Sequence, residues 1–264
     1  MVSENGRIHL NTKVLFSASL LWFGLLLGCT PQAAVEPDRA ADLSAPNPTD
    51  QAIQQKDEVS SGAETPSKLT SRFPKSILSA STELDSVNDT PSIRAETVTE
   101  QGTLVMMSNG WEELGHLAVS SNYGREGDKT FQSDYSVIYR QGEENRVLLE
   151  LPALMFARPD DEKLSFERVR FKDADVYVLT PQYKTGHGVE GYLFAVDRRS
   201  GEAFPLQIVS NGQVFHTLVY SEINPFPYVE NDKLIVHPPV GAGGDPIGKI
   251  QYRLDLDKKR LVSE

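Results

Sequence analysis

Residues 178–209 decide the fold class of this chain, and they read VLTPQYKTGHGVEGYLFAVDRRSGEAFPLQIV. Short runs of β-branched and aromatic residues are separated here by a polar loop with two glycines and by the turn Asp197-Arg198-Arg199-Ser200-Gly201. Runs of this length, bounded by Gly, Pro, Asn or Asp, are typical of β-strands joined by turns. The stretch therefore predicts a strand, a loop, a second strand, a tight turn and a third strand.

The same order recurs on both sides of this stretch. It begins at Val119 in residues 119–150, and again at Val236 in residues 236–264. The first anchors (Val119, Val178, Val236) recur after 59 and 58 positions, and the turn region recurs every 58 positions (Tyr139, Asp197, Asp255). A fixed period of this kind indicates repeated supersecondary units. A further strand candidate precedes each unit, at residues 103–107, 167–171 and 214–220.

We predict an all-β domain over residues 99–264, built from three repeats of about 58 residues. No apolar stripe of helical period runs through this region. The hairpin at residues 194–206, strand-Asp-x-x-Ser-Gly-x-x-strand, resembles the hairpins of bacterial β-propeller repeats. That resemblance implies four-stranded antiparallel meanders arranged as propeller blades. Closed propellers usually have four or more blades, so a sandwich or barrel of the same meanders is the alternative.

The N-terminal residues resemble the signal peptide of a bacterial lipoprotein. An apolar run from Val14 to Gly28 has the length of a signal-peptide core and is short for a membrane-spanning helix. It ends in Leu26-Leu27-Gly28-Cys29, which resembles a lipobox, and Cys29 is the only cysteine. The resemblance implies cleavage after residue 28 and lipidation of Cys29. The chain would then be anchored by acyl chains to the bacterial cell membrane or outer membrane, with its domain outside the cytoplasm.

Residues 29–98 predict a disordered linker between the anchor and the domain. They contain seven prolines (31, 37, 46, 48, 66, 74, 91), many Ala, Ser, Thr, Asp and Glu residues, and Phe73 as the only aromatic residue. Such a composition buries too little apolar surface to offset the entropy lost on ordering. The predicted organisation is therefore 1–28 signal peptide, 29–98 linker and 99–264 domain.

Composition and motifs exclude several function classes. The chain has 37 acidic and 26 basic residues and a net charge of −11, which argues against a nucleic-acid partner. One cysteine excludes a disulfide framework and multi-cysteine metal sites. No Gly-x-Ser-x-Gly motif occurs, and the histidines that follow Cys29 have no local metal-binding spacing (His116, His187, His216, His237). We therefore predict no metal ion and no cofactor.

Three loops align across the repeat: the first loop (122–128), the second loop (182–188) and the third loop (240–245). If the sheets are arranged around one axis, these loops gather on one face. Aromatic side chains occur beside them (Trp111, Tyr123, Tyr183, Phe226, Tyr228), and such rings can bind sugars or anchor a protein partner. We select as candidate binding residues Tyr123, Tyr183, His187 and Asp245. The predicted function is non-enzymatic binding of an envelope protein, a polymer or a small ligand. The alternative is an extracytoplasmic hydrolase or metal-dependent enzyme with loop-borne residues.

Overall fold

A computed structural model describes residues 69–240 and 248–264 of the chain, so Cys29, Asp245 and the predicted linker before residue 69 lie outside the described residues. The described part contains one short 3-10 turn, Ser79–Ser81, and sixteen strands. In chain order they are β1 (Thr82–Asn88), β2 (Ile93–Val98), β3 (Thr103–Leu117), β4 (Lys129–Gln141), β5 (Glu144–Arg158), β6 (Glu167–Arg170), β7 (Ala174–Leu179), β8 (Val189–Asp197), β9 (Ala203–Pro205), β10 (Gln207–Ser210), β11 (Gln213–Phe215), β12 (Leu218–Tyr220), β13 (Tyr228–Glu230), β14 (Lys233–Val236), β15 (Ile250–Asp255) and β16 (Arg260–Ser263). The predicted all-β fold class is confirmed. No helix in these two ranges is long and apolar enough to span a membrane.

The strands form three sheets. The first has the order β1-β3-β4-β5, and β2 also pairs with the long strand β3. The second has the order β12-β8-β7-β6, with β9 paired to β8. The third has the order β11-β10-β16-β15-β14-β13. Each sheet contains one four-stranded antiparallel meander, namely β2 to β5, β6 to β9 and β13 to β16.

The repeat anchors occupy related places in these meanders. Val178 and Val236 lie at the end of the second strand of their meanders, and Val119 lies just beyond the end of β3. The turn after β8 shows why its residues mark a hairpin. The Asp197 carboxylate accepts the backbone N–H groups of Arg199 and Ser200 at 2.7 and 2.9 Å, which closes the turn locally.

The strands that precede the three units differ in part from the prediction. Residues 167–170 form β6 as expected, but residues 103–107 are the start of β3, and the strand that precedes it is β2. In the third sheet the preceding strand is β13, whereas residues 213–220 form β11 and β12. The prediction was wrong there because β11 and β12 pair elsewhere, with β10 and β8. Strand propensity does not specify the partner of a strand.

The sheets are stacked, and the second sheet lies between the other two. Side chains alternate across a strand, and β7 is buried at all six positions. Tyr177 and Leu179 belong to the core shared with the first sheet, whereas Val176 and Val178 belong to the core shared with the third sheet. A strand that is buried on both faces has a continuous run of apolar residues in its sequence, and residues 176–179 form such a run.

The predicted boundary between linker and domain at residue 98 is wrong. Residues 82–88 and 93–98 form β1 and β2, and both pair with β3. Ala95 on β2 is fully buried, whereas most side chains of β1 are at least partly exposed. The long strand β3 supplies the backbone hydrogen bonds, so these two strands need few large apolar side chains. For that reason their composition resembled that of the linker.

A candidate binding cleft beside the loops

The first and second loops contact each other. The Gln182 side-chain amide donates to the Tyr123 carbonyl oxygen at 2.6 Å. The Tyr183 hydroxyl donates to a carboxylate oxygen of Asp128, whose side chain is almost fully buried. Gln182 and Tyr183, both in the second loop, therefore each donate one hydrogen bond to the first loop. Together these hydrogen bonds fix the position of the Tyr183 ring.

The segment that leads into the third loop packs against the second loop. Gly188 has a φ of +88°, and a Cβ atom added there would lie 2.8 Å from the Pro239 side chain and from the Tyr220 carbonyl oxygen. The Ser221 backbone N–H donates to the His237 carbonyl oxygen at 2.8 Å. Only glycine combines this backbone conformation with such a close approach. The first two loops therefore contact each other as predicted, and Pro239, which precedes the third loop, lies beside the second; residues 241–245 of the third loop lie outside the described residues.

A cleft of about 380 Å³ opens beside these loops. Val178 and Val189 line it at the ends of β7 and β8, and the aromatic rings of Tyr183, Tyr220 and Phe226 line it as well. Tyr220 and Phe226 pack edge to face with ring centroids 5.4 Å apart. The cleft therefore combines apolar walls with polar atoms supplied by the neighbouring loops, which is typical of a ligand site.

One cation of the cleft, Arg158, forms no salt bridge with any described residue. The guanidinium lies at the end of β5 and lines the cleft, with its central carbon 5.8 Å from the centroid of the Tyr183 ring. Arg158 is half-buried, and within residues 69–240 and 248–264 its side chain forms no hydrogen bond or ion pair. Burial lowers the pKa of Arg158, and the negative charge of Asp160 opposes this shift.

Two glutamates also line the cleft. Glu167 accepts the Ser165 hydroxyl at 2.6 Å. One carboxylate oxygen of Glu222 accepts the Gly186 backbone N–H at 3.2 Å. The other oxygen of Glu222 is buried and has no hydrogen-bond partner within the described ranges. The cleft thus carries charges of both signs.

The tyrosine hydroxyls of the cleft remain protonated at neutral pH. Burial raises the pKa of Tyr220, whose hydroxyl is hydrogen-bonded to the Thr180 hydroxyl at 2.6 Å. Burial also raises the pKa of Tyr183, and the hydrogen bond to Asp128 adds to this effect. Both phenols already have partners, so their orientation is set before a ligand enters.

Of the four candidate binding residues selected from sequence, only Tyr183 lines the cleft in the described part of the chain. Tyr123 contributes its carbonyl oxygen to the loop contact, whereas its ring packs against the small cluster formed by Leu78, Leu117 and Ala157. His187 is exposed and does not line the cleft, so its selection as a ligand contact is not supported by its position. Asp245 lies outside the described residues.

The histidines do not converge. His116 is hydrogen-bonded to Asp85 at 2.9 Å, and the His237 ring lies 6.5 Å from that of Tyr228. His187 and His216 are exposed. In the part of the chain that the structure describes, no group of three or more His, Cys, Asp or Glu side chains could hold a metal ion.

Most residues of the cleft were not selected from sequence, and Arg158, Thr180 and Tyr220 are examples. Arg158 ends a strand of the first sheet, whereas Tyr220 ends a short strand of the second sheet and reaches Thr180 across it. No local motif marks any of the three. Only the stacking of the sheets brings them together.

Comparison of the chain with protein-family models, with curated proteins and with solved structures finds no match.

Proposed function

We propose that this protein is a lipid-anchored cell-envelope protein and that its β domain binds a ligand in the cleft beside the converged loops. The proposal that the β domain binds a ligand rests on the composition of this cleft. Within the described residues the cleft combines three aromatic residues, an arginine whose side chain forms no hydrogen bond or ion pair, and a buried carboxylate oxygen without a hydrogen-bond partner. The Glu222 oxygen is buried, and buried polar groups normally have partners, so a ligand that donated a hydrogen bond to it would recover the cost of its desolvation.

The contacts of the cleft favour binding over hydrolysis. The Thr180 hydroxyl is bonded to Tyr220, and the Ser165 hydroxyl to Glu167. Among the described residues, no hydroxyl of the cleft is hydrogen-bonded to an imidazole, which is the usual way to activate a serine or threonine nucleophile. The oriented aromatic rings instead suit recognition of a ligand that remains unchanged.

The anchor is proposed from sequence. Leu26-Leu27-Gly28-Cys29 resembles a lipobox, and 39 residues lie between Cys29 and Leu69, where the described part begins. The disordered linker predicted from the composition of these residues would have a root-mean-square span of roughly 35 Å. A tether of this kind would let the cleft reach partners in the adjacent envelope layer while two or more acyl chains hold the protein at the membrane.

Site-specific photocrosslinking in the native cells tests this function. A photoreactive residue replaces Asn224, which is exposed and lines the cleft, and a matched variant carries it at Glu143, which is exposed in the β4–β5 turn. We expect a discrete crosslinked product from position 224 only, and its loss when Cys29→Ser is added. Crosslinks from position 143 with none from position 224 would show that the cleft is not the binding site.

A further inference from the structure

Arg158 differs from every other arginine in the described part of the chain. Four other described arginines are also of intermediate burial, and the side chain of each has a hydrogen bond or an ion pair. The pairs are Arg94 with Glu112, Arg140 with Met107, Arg168 with Asp175 and Arg260 with Asp255. The described arginines whose side chains lack such a partner, Arg158 apart, are all exposed. Arg158 alone is half-buried without an acceptor among the described residues.

The Arg158 guanidinium is only partly withdrawn from water, because none of its nitrogen atoms is among the buried polar atoms that lack a partner in the described residues. A guanidinium withdrawn from water loses hydration, and the loss is normally offset by acceptors that match its planar array of donors. At Arg158 the neighbouring group is the face of the Tyr183 ring, which attracts a cation but accepts no conventional hydrogen bond from it at 5.8 Å. The donors of Arg158 are therefore available to an anion in the cleft.

The other residues of the cleft favour a monoanion over a dianion as the ligand of Arg158. Glu167 and Glu222 border the same cleft, and their negative charges repel a dianion more strongly than a monoanion. The other cation of the lining, Lys163, is paired with Glu96 at 3.5 Å. A carboxylate is a planar monoanion, and it matches a guanidinium through two parallel hydrogen bonds. The apolar walls formed by Val178, Val189 and Phe226 suit the uncharged part of such a ligand.

We propose that Arg158 binds the carboxylate of a small organic acid group in the cleft. This inference rests on the proposed function and narrows it to a class of ligand. Two kinds of ligand carry such a carboxylate: an acidic sugar unit and the C-terminus of a short peptide. Both present a carboxylate beside a less polar surface, and separate probes distinguish them.

The test measures ligand affinity and the NMR signal of the Arg158 Nε–H group in the full chain in detergent. The probes are glucuronate with glucose as its neutral counterpart, and N-acetyl-alanyl-alanine with its C-terminal amide. We expect at least one acid to shift the Arg158 signal and to bind at least tenfold more tightly than its neutral counterpart. Arg158→Gln should abolish this difference, whereas Arg170→Gln, which changes an exposed arginine outside the cleft, should preserve it.

Equal affinity for acid and neutral probes, or a preference that persists in Arg158→Gln, would overturn the carboxylate inference. Failure of both acids to bind would overturn it too. The proposed function is judged separately. A crosslink from position 224 in cells, together with any of these negative results, would retain the cleft as a binding site and exclude carboxylate recognition by Arg158.

Discussion

Replacing Glu112 by glutamine should destabilise the domain strongly. The Glu112 side chain is fully buried in the first sheet and accepts four hydrogen bonds, each of 2.6 Å. Two come from the Arg94 guanidinium and one each from the Ser92 and Tyr135 hydroxyls. Glutamine offers one acceptor oxygen and leaves Arg94, only 16% exposed, without its counter-charge. Removal of one partner from a buried ion pair costs about 3–5 kcal/mol.

The effect should depend on pH in a defined direction. Burial alone would raise the pKa of Glu112, but hydrogen bonds from Arg94, Ser92 and Tyr135 outweigh burial and hold it below its ordinary value of 4.5. The carboxylate of the folded state is therefore more acidic than that of the unfolded chain. Its stabilising contribution is complete above the unfolded pKa and is lost as the pH falls through the folded pKa. The difference between wild type and Glu112→Gln should shrink in acid.

Urea unfolding of the full chain in detergent, at pH 7 and at stepwise lower pH, measures both effects. Tyr135→Phe is the matched control, because it removes one donor of the four and leaves the carboxylate with three. We expect that variant to lose about 1.5–3 kcal/mol and Glu112→Gln to lose more. A loss below about 1 kcal/mol for Glu112→Gln, or a loss that does not change with pH, would refute the reasoning.

Three further outcomes are expected. Asp175→Asn should lower the free energy of unfolding by about 2 kcal/mol, because the buried carboxylate accepts hydrogen bonds of 2.6 Å from the partly exposed Arg168 and Arg198; an unchanged urea midpoint would contradict this. Gly188→Ala should cost about 1–3 kcal/mol and reduce crosslinking from the cleft, whereas wild-type stability would show that the loops do not approach as described. Cys29→Ser should leave an uncleaved, unlipidated precursor by mass spectrometry, and normal processing would exclude the lipobox interpretation.

Local patterns predicted most strands after residue 99 because turns and strand-forming side chains alternate there. Asp197 illustrates the reason: it both ends a strand and closes its own turn through contacts two and three residues away. β1 and β2 were missed because their stability comes from pairing with β3, which lies elsewhere in the chain. Their side chains are mostly polar and carry little strand signal.

The candidate site could be predicted only in part. Alignment of the repeats placed the first two loops side by side, and Tyr183 was selected on that basis. Arg158 was missed because its distinctive property is the lack of an acceptor among the described residues of the folded chain. A sequence shows which charges are present, but the pairing of those charges is a property of tertiary structure.

Amide hydrogen exchange of the lipidated chain tests the cleft most directly, because it does not require the ligand to be identified. The exchange is measured in native membranes and again after extraction and washing in detergent. We predict that residues 182–188 and 220–226 are protected in native membranes and lose that protection on extraction, while the exposed turn at residues 141–144 exchanges equally in both states. Unchanged exchange at residues 182–188 and 220–226, with protection confined to other surfaces, would contradict ligand binding in the cleft.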